Sequence, residues 1–338
     1  MFRVAIIGLG VIAPLHLNFL LNRADIELCA ACDLDPAKAS LVPESTAFYT
    51  DYAQMLDEVK PDVVHVCLPH YLHTIVSEAA AQRGIAVFCE KPLSTNYEGA
   101  KDLASYEEKY GVKIGVCLQN RLNACTVKIL ELAQSGQYGK VLGIKGRVDW
   151  YRALSYYEAA PWRGTIAEAG SGAILNQAVH TLDIMTLFHD EDPVFVRGAM
   201  LHISGYPIEV EDTAVAQFDY TDGCRCFFSA TVINHSNEPI EVSVVLEQAS
   251  LIIRGTRLYL VQNGQETLIQ EDQLPEGEKF YYGAGHNICM TQYYAALEAN
   301  TDLYIHPQDA MPAMRIFEAM RMSQERNGEA VAIEELAR

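Results

Sequence analysis

The stretch Phe2-Arg3-Val4-Ala5-Ile6-Ile7-Gly8-Leu9-Gly10-Val11-Ile12-Ala13 decides the fold. An apolar run of strand length, Arg3 to Ile7, enters two glycines one residue apart, and from Ala13 the apolar spacing turns helical. The first glycine suits a tight turn, the second lets backbone approach a pyrophosphate, and a small residue at Ala13 lets helix and strand pack closely. A helix starting there adds free N–H groups and the positive end of its dipole.

The same rhythm continues outward. Ile26 to Cys32, Val63 to Leu68, Ile85 to Cys89 and Val112 to Leu118 are apolar runs of strand length, each followed by helical spacing, which predicts a doubly wound parallel sheet. Near-continuous apolarity in these runs is expected of strands covered on both faces. Asp33 lies 20 residues after Ala13 at the end of the second strand, where a carboxylate accepts hydrogen bonds from a ribose 2′-hydroxyl. Leu34 follows it, with no adjacent Arg or Lys to neutralise a 2′-phosphate, so the expected cofactor is NAD rather than NADP. Asp35 before Pro36 is the better helix cap. Residues 1–121 therefore read as an NAD-binding Rossmann domain.

From residue 122 to 338 the pattern is α+β. A helical segment at Thr126 to Gln134, a strand from Val141 to Trp150 and an apolar helix from Ala173 to Phe188 precede strand-like runs at Ala214 to Tyr220, Cys224 to Ile233, Ile240 to Leu246 and Leu251 to Arg254. These predict a mainly antiparallel sheet. Two helices close the chain, His286 to Ala299 and Pro307 to Arg326, stopped by Asn327-Gly328; the last is a candidate to pack back on the first domain.

Composition narrows the function classes. Lys plus Arg number 25 against 44 Asp plus Glu, a formal charge of −19, so polyanions are repelled and neither nucleic acid nor an acidic membrane surface is an expected partner. No run approaches the ~18 apolar residues of a membrane span, and no signal peptide precedes Phe2, so a cytoplasmic location is expected. Nine cysteines, an odd number lying mostly in apolar runs, suit reduced thiols. Neither Cys224 and Cys226 nor Cys67 with His70 and His73 has the paired spacing of a zinc site, and no metal is expected.

Chemistry enters with Glu90-Lys91-Pro92 at the carboxyl end of the strand run Ile85 to Cys89, where open α/β sheets place ligands. Pro92 is a candidate for a cis peptide. Together with Gly8-x-Gly10-x-x-Ala13 and Leu68-Pro69-x-x-x-His73, this motif resembles the glucose-fructose oxidoreductase and inositol dehydrogenase (Gfo/Idh/MocA) family. The resemblance extends to Trp162-Arg163-Gly164-Thr165, to Gly170 through Asp183 with its H-x-x-D pattern, and to Tyr282-Gly283-x-Gly285-His286. It implies hydride transfer between NAD and a hydroxyl-bearing carbon of a small sugar or cyclitol, with Lys91 and His180 at the reacting hydroxyl. Alcohol oxidation needs a proton acceptor and a donor that stabilises the oxyanion, roles open to His180 and Lys91 in either order. A closed-cycle enzyme with tightly held NAD, and a non-catalytic sensor or regulator, are the alternatives; retention of Lys91 and His180 favours an enzyme.

Asn176 and His180, four apart, share a helix face. Many family members carry an aspartate at the position of Asn176, and an amide accepts no proton, so Asn176 is at most a substrate contact. Ser171 stands where the family usually has a third consecutive glycine. Asp183 either orients His180 or bonds backbone. Expected cofactor contacts are Gly8, Gly10, Val11, Ile12, Asp33, Leu68, Pro69, His73, Glu90, Lys91 and Gln119. Expected substrate contacts are Lys91, Arg121, Trp162, Arg163, Asn176, His180, Tyr282 and His286. Arg163 is weighed against stacking on Trp162, and Arg121 against an interdomain ion pair; His286 and Tyr282 are weighed against helix capping and core packing, and His16, His70 and His202 carry no role. Family members commonly associate through the second sheet, and the alternating run Phe227 to Ile233 is compatible with an uncovered face, so a homodimer or homotetramer is expected.

Overall fold

A computed structural model describes residues 1–273 and 285–337. Six strands, β1 (Phe2–Ile7), β2 (Ile26–Cys32), β3 (Ala47–Tyr49), β4 (Val63–Val66), β5 (Ala86–Cys89) and β6 (Ile114–Val116), form one sheet. Its order is β3-β2-β1-β4-β5-β6 and every pairing is parallel. All four residues of β4 are buried, as a strand covered on both faces requires. The crossovers run through α1 (Ala13–Leu21), α2 (Tyr52–Val59), α3 (His70–Ala81) and α4 (Tyr97–Tyr110). Their ends follow local chemistry. Asp51 and Asn96 accept from first-turn N–H groups of α2 and α4, and Gly111, at φ 66°, ends α4 in the left-handed region.

The second sheet has nine strands in the order β14-β13-β12-β11-β7-β10-β9-β8-β15. They are β7 (Val141–Asp149), β8 (Phe195–Leu201), β9 (Thr213–Asp219), β10 (Arg225–Thr231), β11 (Glu241–Leu246), β12 (Ser250–Arg254), β13 (Arg257–Gln262), β14 (Gln265–Glu271) and β15 (Val331–Ala332). All neighbours are antiparallel except β7 and β10, which run parallel. Burial alternates along β9 and β10, so one face is packed and the other exposed; Val215 and Phe227 stand on the exposed face, 44% and 49% accessible. The nine cysteines are all free thiols, and among the described residues no helix is long and apolar enough to cross a membrane.

The chain forms two compact units, residues 1–118 with 286–311, and 119–285 with 312–338. This corrects the expectation for the closing helices. It is the helix Gly285–Ala299, and not the last one, that joins the first unit. Tyr293 and Tyr294 are buried there, with Tyr293 against Phe88 at a ring separation of 5.3 Å, and Val116 N–H donates to Ile305 O at 2.9 Å. The last helix, Met311–Glu325, completes the second unit instead: Ser323 Oγ accepts from Gly198 N–H at 3.1 Å, Gln324 accepts from Met200 N–H at 3.0 Å, and Arg315 pairs with Asp192 at 2.8 Å. Large aromatics that fill a sheet face decide which helix goes where, and helical periodicity alone does not reveal them.

Gly115 shows how tight this packing is, because a Cβ there would lie 2.5 Å from the Tyr293 ring and 3.0 Å from that of Phe88. Gly115→Ala is expected to destabilise the protein by about 1–3 kcal/mol through overpacking, read as a lower urea midpoint. An unchanged midpoint would contradict the packing of this helix on β5 and β6.

Candidate active site

In the first unit the loop after β1 is shaped by what its backbone must avoid. Gly8 sits at φ 92°, and a Cβ there would lie 2.4 Å from Cys67 O, so both dihedral and space demand glycine. Gly10 differs: a Cβ there would meet no protein atom within 4 Å, so its surface opens outward. Val11 is 67% exposed beside it. Ala13, 1% exposed, opens α1 with Pro14 following, and Ile12 provides no side-chain cap. Pro14 brings no N–H and the Leu15 N–H turns back to Ile12 O at 3.1 Å, so the Ala13 N–H and the positive end of the helix dipole are what this helix start offers a diphosphate.

Asp33 braces this loop. Its Oδ2 accepts from Leu9 N–H at 2.8 Å and Oδ1 accepts from Asp35 N–H at 3.0 Å, while each oxygen keeps capacity for a ribose hydroxyl. Asp35 caps the turn at Pro36, accepting from Ala37 N–H at 3.0 Å. These features fit NAD, and the first unit is an NAD-binding Rossmann domain.

His73 ties two loops together. Its Nδ1 lies 2.6 Å from Pro92 O and its Nε2 2.8 Å from Leu68 O, so the ring sits between the Leu68-Pro69 turn and the segment after Lys91, donating to one carbonyl when neutral and to both when protonated. Burial pushes its pKa below the ordinary histidine value, against the pull of the two carbonyls. The Lys91–Pro92 peptide is cis. Burial also lowers the Lys91 amine, with the Glu90 charge opposing. The Glu90 side chain turns inward, 5% exposed; burial, the largest single influence, would raise its carboxyl, but the hydrogen bond from His16 and the charges of His16, His286 and Lys91 together outweigh it, holding it far below the usual carboxylate range. His286 joins this first-unit cluster at 3.9 Å from Glu90, its pKa lowered to about 4 by burial. Glu90, Cys117 and His286 bring possible ligand atoms within 4.8 Å of one another, but the Glu90 oxygen nearest His286 already faces His16 at 3.0 Å.

In the second unit a π-helical turn, Gly172–Ala178, runs into the helix Val179–Thr186 and carries Asn176 and His180. Glu211 anchors it. This buried carboxylate accepts from Ser171 Oγ at 2.6 Å, Gly172 N–H at 3.1 Å and Ile174 N–H at 3.0 Å. Ser171 has φ −158°, an extended conformation open to any residue, and its hydroxyl caps the turn by accepting from Leu175 N–H. Glycine is dispensable there. At Gly172 it is not, because a Cβ would lie 2.3 Å from Glu211 O.

His180 lies 9% exposed with its Nε2 3.2 Å from Gln119 Nε2, so the Gln119 amide donates and that ring nitrogen accepts. Gln119 thus stands with His180 in the second unit. Asp183 takes a bidentate pair from Arg121 at 2.8 and 2.7 Å. The Arg121 fork is therefore engaged within its own unit, so the pair is not interdomain. Arg163 stacks on Tyr156 at 4.2 Å more closely than on Trp162 at 5.7 Å. The Tyr156 hydroxyl reaches Gln177 at 2.9 Å and Asn176 at 3.5 Å, and Arg152 donates to Gln177 at 2.7 Å. Tyr282 lies outside the described residues.

Glu211, Tyr156 and Gln177 are residues that sequence reasoning missed. A signal existed for Glu211, since the acid pair Glu211-Asp212 directly precedes the strand run, yet such a pair reads equally as a solvated turn. Two glycine variants separate fold from cofactor. Gly10→Ala is expected to leave the melting temperature unchanged and weaken NAD at least about tenfold, ~1.4 kcal/mol, whereas Gly8→Ala should also cost about 1–3 kcal/mol of stability. Calorimetry and titration with NAD check both, and full NAD affinity in Gly10→Ala would contradict the loop assignment.

Comparison with known proteins agrees with this geometry. The family model described as "Oxidoreductase family, NAD-binding Rossmann fold" matches residues 2–118, and that of the "GFO/IDH/MocA C-terminal domain" matches residues 126–256. D-glucoside 3-dehydrogenase of Escherichia coli is 32% identical over 191 residues, covering 54% of this chain and 52% of that protein. Inositol 2-dehydrogenase of Salmonella typhimurium is 25% identical over 228 residues, covering 65% and 64%. The chain thus spans about half to two-thirds of the curated relatives it matches. The crystal structure of the WlbA dehydrogenase from Bordetella pertussis, in complex with NADH and UDP-GlcNAcA, shares the fold with a TM-score of 0.83 at 23% identity over 98% of each chain. Loop, sheet order and both matched segments place the chain in the Gfo/Idh/MocA family of oxidoreductases.

Proposed function

We propose that this protein is an NAD-dependent oxidoreductase that moves a hydride between nicotinamide and a secondary hydroxyl or ketone of a sugar, sugar derivative or cyclitol. The observation that carries the reading is the Lys91 amine, lowered by burial, directly after the inward-turned Glu90. An amine so depressed exchanges a proton near neutral pH more readily than an ordinary lysine. Bound NAD supplies the hydride acceptor. Lys91 takes or polarises the hydroxyl proton, and His180, its Nε2 an acceptor toward Gln119, is the second proton-handling group. Asn176 and Tyr156 are substrate contacts in this reading.

Substrate choice turns on Arg152 and Arg163. Among the described residues their hydrogen bonds go to neutral groups: Tyr151 O, Asn237 and Gln177 for Arg152, and Tyr156 O for Arg163. Sugar acids and sugar phosphates therefore belong in any substrate panel beside neutral sugars and cyclitols.

The test is NADH formation by wild type, Lys91→Met and His180→Ala over that panel, with NADP in parallel. One substrate class should turn over with NAD and lose at least about 100-fold in each variant. No turnover of any class despite tight NAD binding would overturn the dehydrogenase reading in favour of a closed-cycle enzyme or a sensor. We also propose that copies associate through the exposed face of β9 and β10, as a homodimer or homotetramer; light scattering that finds only monomer would sink this.

A further inference from the structure

Inside the first unit four polar side chains make one continuous hydrogen-bonded row. His16 on α1 places Nε2 3.0 Å from Glu90 Oε1 and Nδ1 2.7 Å from Nδ1 of His65 on β4. His65 places Nε2 2.9 Å from the Tyr294 hydroxyl. His16 and His65 are 0% exposed, Tyr294 1% and Glu90 5%. Burying such groups is costly unless each is satisfied, and an apolar filling would be the simpler way to build a core.

The protons can be counted. A contact of 2.7 Å between two Nδ1 atoms holds if one ring carries the proton there and the other does not. With both rings neutral and Glu90 ionised, every donor points the same way: Tyr294 O–H to His65 Nε2, His65 Nδ1–H to His16 Nδ1, and His16 Nε2–H to Glu90. One added proton reverses the middle of the row. The Tyr294 O–H bond breaks as His65 Nε2–H forms, His65 Nδ1–H breaks as His16 Nδ1–H forms, and the Tyr294 oxygen regains a proton from water. The product is a His16 imidazolium against the Glu90 carboxylate, with His65 Nε2–H now donating to Tyr294. No side chain has to move, and the reverse sequence returns the proton to water.

We propose that Tyr294, His65 and His16 form a proton relay that carries a proton between water and the His16 imidazolium held against the Glu90 carboxylate, so that the charge beside Lys91 is set through the first unit as its amine takes or returns the proton of alcohol oxidation or carbonyl reduction. The proposal rests on the Lys91 chemistry above. The three are positioning residues, since they act through Glu90. Burial holds His65 well below the ordinary histidine value, with the His16 charge adding to it, so His65 passes a proton on without retaining it. The groups facing the inner end are Lys91, His286, Cys67, Cys89 and Cys117. At the outer end Arg23 lies 5.6 Å from the Tyr294 ring centre, itself paired with Asp25.

The experiment is nitrogen NMR of full-length, NAD-loaded protein labelled at histidine, from pH 5 to 10. His65 should switch from the Nδ1–H to the Nε2–H form within this range, and Glu90→Gln should lower the midpoint of that switch by at least about one pH unit. In the turnover assay Tyr294→Phe should lower kcat about tenfold or more while leaving KM and NAD affinity within about twofold. Should that variant melt early, His65→Gln interrupts the row at its middle and carries the same expectation. A His65 fixed in one form across the range overturns the relay, and so does full kcat in a folded Tyr294→Phe. Absence of turnover in wild type counts against the hydride reading, and the NMR result then decides the relay by itself.

Discussion

A carboxylate buried at the carboxyl end of β5 has to be satisfied from within, and the elements around Glu90 do this. The α1 helix brings His16, β4 brings His65 behind it, and the helix Gly285–Ala299 brings Tyr294 to close the row. The constraint works in both directions. With Glu90 held as an anion, the neighbouring Lys91 has a fixed charge beside it while burial works to lower its amine. The cofactor loop, the lysine and the interior of the first unit are thereby coupled through one side chain.

The second unit repeats this logic with different parts. Glu211 is likewise buried, but three donors from Ser171, Gly172 and Ile174 surround it. Those bonds fix the start of a π-helical turn, and a wider turn changes the phase at which the following residues emerge. Asn176 and His180 take their directions from that phase, and Arg121 with Asp183 braces the next turn of helix. Anchored on one side by Glu211 and on the other by Asp183, this helix has little freedom to shift His180.

Much of this was legible in the residues. The glycine turn, Asp33 and the parallel rhythm are local signals, and local geometry obeyed them. Five strands escaped: β3 has three residues, β15 two, β8 lies among weak apolar alternation, β13 follows β12 after only two residues, and β14 alternates polar residues at a sheet edge where nothing must be buried. Glu90 and Lys91 stood in a motif, whereas His16, His65 and Tyr294 stand 49 to 229 positions from their partners. No periodicity encodes a contact at such separations, and a histidine on an apolar helix face looks the same whether it bonds a carboxylate or fills space. Arg121 and Asp183 carry no sign of each other in the sequence, and only tertiary structure pairs them.

The split composition of the first unit has a temporal consequence. Its sheet ends at β6, yet the strand's N–H at Val116 waits for Ile305, and His65 waits for Tyr294. During synthesis at roughly 5–20 residues per second, a ribosome needs about 10–40 s to pass from the end of β6 to residue 311. Throughout that interval one face of the nascent sheet is open, while the second sheet is emerging between its two halves. Long-range closure of this kind folds slowly, so the unit begun first is completed after most of the chain has been made.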